Sequence, residues 1–123
     1  MAIILLSFDI DGTLELGDPP GGVTIEMVRR AHELGYLVGS CSDRPLSSQR
    51  KMWERIEIEP SFVASKHQLG DVKAKFEHVD AFYHMGDRDT DLAAAEQNGF
   101  GFWWHHEAEE EPWLALTDLP TAP

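Results

Sequence analysis

Short apolar runs alternate with amphipathic stretches along the whole chain. The first run, 3–6, is uniformly apolar, as is typical of a strand buried on both faces of a parallel sheet. Four comparable strand-like runs follow, at 36–41, 61–65, 81–85 and 100–104. The stretches between them have helical spacing, so the alternation predicts an α/β domain built on a parallel sheet of about five strands.

Capping residues set the expected limits of the helices. Thr24 is a candidate N-cap, and Gly35 would end that first helix. A second helix is predicted from about Leu46 to Ile58, and a third after Asp71 as its N-cap. A short fourth helix should end near Asn98, and a fifth strand would then complete the sheet.

Composition restricts the class of protein. The 123 residues are 42% hydrophobic, which fits one domain, 1–123, with a real core. The net charge of -12 disfavours nucleic acid as a partner. No run approaches the roughly 20 apolar residues of a membrane span. The single cysteine, and a start that lacks the basic flank of a signal peptide, make the cytoplasm the expected compartment.

Carboxylates follow two of the predicted strands. Asp9 and Asp11 come directly after the first strand, and Asp87, Asp89 and Asp91 come after the fourth. In open α/β sheets, ligands bind outside the carboxyl ends of the strands. Because a hard cation such as Mg²⁺ prefers oxygen ligands, the two acidic clusters predict a metal site at this edge.

The first loop has the groups that phosphoryl transfer requires. A carboxylate can attack phosphorus and form an acyl phosphate if a cation screens the repulsion, which makes Asp9 the candidate nucleophile. Asp11 can serve as general acid and then as base toward water. Gly12 permits a sharp turn close to the phosphate, and the Thr13 hydroxyl or amide can hold the loop or the ligand.

Four blocks of the sequence resemble the motifs of the haloacid dehalogenase (HAD) superfamily. Phe8–Thr13 resembles DxDGT, and the second strand leads through Ser42 into Asp43, Arg44 and Pro45. A lysine before the fourth strand and the GDxxxD-like segment 86–91 complete the set. The resemblance implies a three-layer Rossmann-like sandwich with strand order 5-4-1-2-3. It also implies a Mg²⁺-dependent phosphatase that forms an aspartyl phosphate.

The same resemblance implies roles for the remaining polar residues. Ser42 would hydrogen-bond a phosphoryl oxygen, although Asp43 stands where the family often has glycine, so Ser40 stays an alternative. Arg44 follows Ser42 by two residues, so it would lie close enough to the site to contact the phosphate. The metal ligands would be Asp9, the Asp11 carbonyl and Asp87. Asp91 would act through water or by orienting the lysine, with Asp89 as an alternative.

Three lysines compete to neutralise the nucleophile and the phosphate. With Asp71 as N-cap and an apolar i, i+4, i+7 face after it, Lys73 falls in the first turn of the third helix. An ammonium beside free backbone N–H groups makes an anion site, so Lys73 is the preferred candidate. Lys66, at the end of the third strand, is the second candidate, and Lys75 points elsewhere.

The lengths of the connections leave no room for a cap domain. The turn-rich stretch 14–23 would be only a flap, and 105–123 reads as an acidic C-terminal tail in which Trp113 docks or mediates association. Without a cap the site would be open, or a neighbouring subunit would supply a lid. Both a monomer and a homo-oligomer therefore fit the sequence.

Three functions fit these observations. The first is a phosphomonoesterase that acts on a small phosphorylated metabolite or nucleotide. The second is a 3′-end polynucleotide phosphatase, which would need a local basic strip formed by Arg44, Arg50, Lys51 and Arg55. The third is a non-catalytic binding or regulatory module that retains the fold.

Overall fold

The sheet is parallel throughout and has five strands. The structure is a computed structural model that describes residues 2–118. The strands are β1 Ile4–Phe8, β2 Leu37–Ser42, β3 Phe62–Ser65, β4 Ala81–Gly86 and β5 Gly101–Trp104. Their order is β3-β2-β1-β4-β5, which is 5-4-1-2-3 read from the β5 edge. The predicted α/β class and parallel sheet are confirmed.

Helices connect the strands and follow the last one. They are α1 Ile25–Glu33, α2 Leu46–Arg55, α3 Leu69–Lys75, α4 Asp89–Gln97 and α5 His105–Ala108. Short 3-10 helices cover Lys66–Gln68 and Pro112–Asp118. None of the helices within residues 2–118 is long and apolar enough to cross a membrane.

Helix α1 begins and ends as its sequence predicts. The Thr24 hydroxyl accepts a hydrogen bond from the Met27 amide at 3.2 Å, which makes Thr24 the N-cap. Gly35 follows the helix with φ +98°, a conformation that glycine adopts without strain. Helix α2 ends at Arg55, before the predicted Ile58. Glu57 adopts φ +58°, which is not a helical conformation.

Two apolar cores pack against the two faces of the sheet. One contains Leu6 and Phe8 of β1 with side chains of α1 and α2, and the other contains Leu5 with side chains of α3 and α4. Successive side chains of a strand point to opposite faces, so β1 contributes to both cores. All five of its residues are buried, which explains why its sequence has no polar face.

The segment before β4 differs from the prediction. Gln68 is the N-cap of α3 and Asp71 lies inside the helix, so Lys73 occupies the last turn and its predicted first-turn position is wrong. The side chain of Gln68 reaches back to accept a hydrogen bond from the Ser65 amide at 2.9 Å. This contact starts the helical segment directly at the end of β3, several residues earlier than Asp71 would.

The segment after β5 packs against the domain. Ala108 of α5 and Trp113 are fully buried in the core that contains Phe8. The Trp113 ring lies edge-on to Phe8, with 5.8 Å between ring centroids, and 6.4 Å from Trp103. Part of the expected tail is thus core structure, and Trp113 docks on its own chain. The last part of that tail, 119–123, lies outside the described residues.

Candidate active site

A tight turn follows β1 and presents two carboxylates. The amides of Thr13 and Leu14 both donate to the Ile10 carbonyl, at 3.1 and 2.9 Å, which closes the turn over Asp11. Gly12 has φ +78°, and a Cβ built on it would lie 1.9 Å from Asp87 Oδ2. Glycine is therefore required here, because it lets the loops after β1 and β4 approach each other.

Three carboxylates meet between these loops. Asp9 and Asp91 are buried and Asp87 is half-buried, and one oxygen from each lies within 4.8 Å of the others. Asp87 Oδ1 is buried without a hydrogen-bond partner among the described residues. Because a divalent cation would satisfy that oxygen and offset the clustered charge, these residues fit a metal site. Asp89 is exposed in the first turn of α4 and lies outside this cluster.

Lys66 lies against the acidic cluster. Its Nζ is 3.6 Å from Asp9 Oδ2, 3.2 Å from Asp91 Oδ1 and 3.5 Å from Asp43 Oδ2. Burial lowers the pKa of Lys66, but the negative charges of Asp9 and Asp91 outweigh it and leave the pKa raised. The neighbouring carboxylates therefore favour the ammonium form of Lys66 beside Asp9.

Lys73 lies elsewhere. Its Nζ is 3.2 Å from the Gly99 carbonyl and 3.4 Å from the Asn98 carbonyl, and it sits 5.5 Å from the centroid of the Phe82 ring. These contacts tie α3 to the end of α4. The structure brings Lys66, the second candidate, to Asp9 and leaves the preferred Lys73 out of the cluster.

A buried polar chain supports Asp91 from below, and the sequence analysis missed it. Ser7 Oγ is 2.8 Å from His84 Nδ1, and His84 Nε2 is 2.9 Å from Asp91 Oδ1. All three side chains are fully buried. Ser7 and His84 are register partners in adjacent strands. The signal was present, since each is a polar residue within an otherwise apolar strand.

The two buried carboxylates have opposite pKa shifts. Burial, followed by the charge of Asp91, raises the pKa of Asp9 to about 8, and Lys66 offsets only part of this. Burial also raises the pKa of Asp91, but the hydrogen bond and charge of His84 and the contact with Lys66 leave it lowered. Without a bound metal ion, protonation of Asp9 is therefore favoured over protonation of Asp91.

Asp11 stands at the mouth of the cluster and pairs with Arg44. Arg44 Nη2 lies 2.5 Å from Asp11 Oδ1, and Nε lies 3.1 Å from both carboxylate oxygens. The Asp18 amide also donates to Asp11 Oδ1, at 2.7 Å. The hydrogen bonds from Arg44 are the main cause of a lowered pKa for Asp11. Asp11 is therefore ionised and held by a guanidinium.

The two candidate serines of β2 have different surroundings. Ser40 Oγ donates to Gln49 Oε1 at 2.7 Å and accepts from Trp53 Nε1 at 2.9 Å, so it is fully engaged in the core. Ser42 ends β2, where its hydroxyl accepts from the Arg44 amide at 3.1 Å. Ser42 therefore lies at the end of the strand, beside the loop that holds Arg44, and its side chain is buried.

Two further predicted residues, Asp43 and Thr13, differ in their exposure. Asp43 is exposed but reaches Lys66, and Thr13 Oγ1 is buried without a partner among the described residues. The loops after β1, β2 and β4 thus bring together most of the predicted residues, namely Asp9, Asp11, Ser42, Asp43, Arg44, Asp87 and Asp91, together with Lys66.

Comparison with known proteins adds no assignment. No protein-family model matches the chain, and no curated protein sequence gives a significant match.

Proposed function

We propose that the protein is a Mg²⁺-dependent phosphomonoesterase of the HAD type, with no cap domain, acting on a small phosphorylated substrate. The observation that carries the proposal is the cluster of Asp9, Asp87 and Asp91 with Lys66 at the ends of β1, β3 and β4. The DxDGT-like block and the strand order 5-4-1-2-3 support it.

The acidic cluster has the oxygen donors that Mg²⁺ prefers. Asp9, Asp87 and the Asp11 carbonyl would hold the ion, and Asp91 would act through water or by holding Lys66. When bound, the cation supplies the positive charge that keeps Asp9 ionised and screens its repulsion from the substrate phosphate. The unpartnered Asp87 Oδ1 is the specific feature that favours a ligand of this kind.

Asp9 is the proposed nucleophile and Asp11 the proposed proton donor. An Asp9 oxygen forms a bond to phosphorus while the bond from phosphorus to the leaving oxygen breaks, and Asp11 gives that oxygen its proton. Asp11, now a base, takes a proton from water. The resulting hydroxide attacks the acyl phosphate, which releases inorganic phosphate and regenerates Asp9.

Arg44 controls whether Asp11 can play that part. Without substrate, Arg44 binds Asp11 and lowers its pKa, so the carboxyl lacks the proton that it must donate. A substrate phosphate competes for the same guanidinium, because guanidinium binds phosphate in the same bidentate way. Substrate binding should therefore draw Arg44 away and let Asp11 take up a proton.

Charge on the transferring phosphoryl group would be stabilised from two sides. Lys66 takes the role first assigned to Lys73, since its ammonium lies 3.6 Å from Asp9 Oδ2. The Ser42 hydroxyl would donate a hydrogen bond to a phosphoryl oxygen. The amides of Gly12 and Thr13 instead hold the loop, because they donate to the carbonyls of Pro19 and Ile10 at 2.7 and 3.1 Å.

Phosphate release tests the proposal. The protein should hydrolyse members of a panel of aryl, sugar and nucleotide monophosphates with Mg²⁺ and should lose that activity in EDTA. Asp9→Asn should lower kcat by at least about 10³-fold. Asp89→Asn is the matched control, because Asp89 is an exposed acid outside the cluster. Activity that survives Asp9→Asn, or a folded protein without turnover on the panel, contradicts the proposal and favours a binding module.

A further inference from the structure

A small basic pocket lies beside the active site. It has a volume of about 170 Å³ between the loop after β1 and one face of α2, and it is lined by Leu16, Arg44, Ser48, Lys51, Met52 and Arg55. Three of these six residues are cations. The name basic pocket is used below for this cavity.

The charge of the basic pocket is opposite to that of the protein. The chain carries a net charge of -12, yet 44–55 contains four of its ten basic residues and only one acid, Glu54. Such a local excess of cations favours anions there, even though the protein as a whole repels them.

The two outer cations of the basic pocket are unneutralised. Lys51 and Arg55 are exposed and lie four residues apart on α2, where like charges repel. Within residues 2–118, no ion pair involves either of them. An anion bound between them would relieve the repulsion.

Arg44 connects the basic pocket to the proposed reaction. Its guanidinium binds the Asp11 carboxylate, and the same side chain lines the pocket. Asp11 is the proposed donor to the leaving oxygen, so it marks the side of the phosphorus from which the leaving group departs. A leaving group that extends past Asp11 and Arg44 would enter the basic pocket.

We propose that the basic pocket binds a second anionic group, a phosphate or a carboxylate, on the leaving group of a small substrate. The inference rests on the proposed function and specifies its substrate class. The volume is smaller than the roughly 300–1,000 Å³ of a typical complete ligand site, so it accommodates a substituent and not a whole molecule. The net charge of -12 disfavours a polymer with many phosphates, which leaves a small molecule as the occupant.

Alkyl phosphates of increasing chain length test this specificity when each ends in methyl, carboxylate or phosphate. At the best length, kcat/KM should be about 10- to 100-fold higher for an anionic end than for methyl, as expected for hydrogen bonds to a charged group. The carboxylate and phosphate arms identify the preferred anion. The double variant Lys51→Gln/Arg55→Gln should reduce the ratio to about one, mainly through KM.

Arg50→Gln is the matched control, because Arg50 is a cation on the same helix that lines a different cavity. It should preserve the preference for an anionic end. An equal loss in Arg50→Gln, no preference in the native protein, or a preference that survives the double variant would overturn the inference. If activity on 3′-phosphorylated oligonucleotides were stronger than on the alkyl phosphates and also depended on Arg50, the substrate would be a polynucleotide and the inference would be overturned.

Binding separates failure of this inference from failure of the proposed function. If no alkyl phosphate is hydrolysed, the bisphosphate and the methyl-ended phosphate are titrated into the native protein with Mg²⁺ by calorimetry. Tighter binding of the bisphosphate that is lost in the double variant keeps the basic pocket as an anion site without phosphatase activity. Equal affinities for the two compounds overturn it.

Discussion

The site contains two pairs of an aspartate and a cation, one in its buried floor and one at its partly exposed rim. On the floor, Asp9 lies beside Lys66, with Asp91 and His84 beneath, and these side chains are at most 10% exposed. On the rim, Asp11 pairs with Arg44, and the two side chains are 33% and 25% exposed. The pKa of Asp9 is raised to about 8, whereas that of Asp11 is lowered.

Burial decides the difference. On the floor, burial and the charge of Asp91 both raise the pKa of Asp9. Together they outweigh the attraction of Lys66, which lowers it. On the rim, hydrogen bonds from Arg44 lower the pKa of Asp11 more than burial raises it. The two aspartates therefore have opposite pKa shifts without a bound cation, and the cation and the substrate phosphate would have to reverse both shifts before Asp9 could attack and Asp11 could donate a proton.

The largest effect is expected from removing the floor cation. Lys66→Met should lower kcat/KM by about 10²–10³-fold, because it removes a preorganised charge from the proposed phosphoryl site. Lys73→Met is the control, since Lys73 contacts the end of α4 and Phe82 and lies outside the acidic cluster. Steady-state kinetics at saturating Mg²⁺ measure both variants. A larger loss in Lys73→Met would restore the assignment made from the sequence.

The pH dependence of stability should expose the floor carboxylate next. Folding raises the pKa of Asp9 from 3.8 to about 8, so between these values the folded state binds more protons and stability falls as pH increases. In EDTA, the Tm of the native protein should fall relative to Asp9→Asn by about 10 °C between about pH 5 and pH 8. If the Tm values of the two proteins changed with pH in the same way, the pKa of Asp9 would not be raised by folding.

A smaller loss of stability is expected from breaking the chain under the floor. His84→Phe keeps a ring in the core but removes the partner of Ser7 Oγ and one of the contacts of Asp91 Oδ1, which keeps Lys66 Nζ at 3.2 Å. The cost should be about 1–3 kcal/mol in the free energy of unfolding, measured by urea denaturation. His32→Phe, at an exposed position of α1, should change stability little. Equal stability of the two variants would mean that His84 serves only to fill space.

The smallest effect is expected at the rim. Arg44→Gln removes the hydrogen bonds that lower the pKa of Asp11, so the limb of the kcat/KM profile that reports Asp11 should move to higher pH, by about one unit or less. Arg50→Gln should leave that limb in place, since it does not contact Asp11. A limb that does not move in Arg44→Gln would exclude Asp11 as the group that titrates.

The sequence predicted the strands well because their signal is local. A run buried on both faces must be apolar, and Asp9 and Asp87 follow such runs directly, so their meeting at one edge of the sheet was predictable. The order 5-4-1-2-3 came only with the family resemblance. Long-range pairing leaves no trace in the periodicity of a single strand.

The lysine was misplaced because two capping signals compete. Asp71 resembles an N-cap, but Gln68 closes onto the Ser65 amide first and starts the helical segment at the strand end. That choice moves Lys73 into the last turn and leaves Lys66 beside Asp9. His84 was missed for another reason: a polar residue inside a strand reveals its role only when its partner in the neighbouring strand is known.

The contact between Phe8 and Trp113 has a consequence for the order in which the protein can mature. Phe8 immediately precedes the proposed nucleophile, Asp9, and its ring packs edge-on against Trp113. A ribosome makes the amino end first, so β1 emerges long before the tryptophan that covers it exists. β1 must therefore remain partly uncovered until residue 113 is synthesised. The packing around Phe8 is therefore complete only after Trp113 has been made.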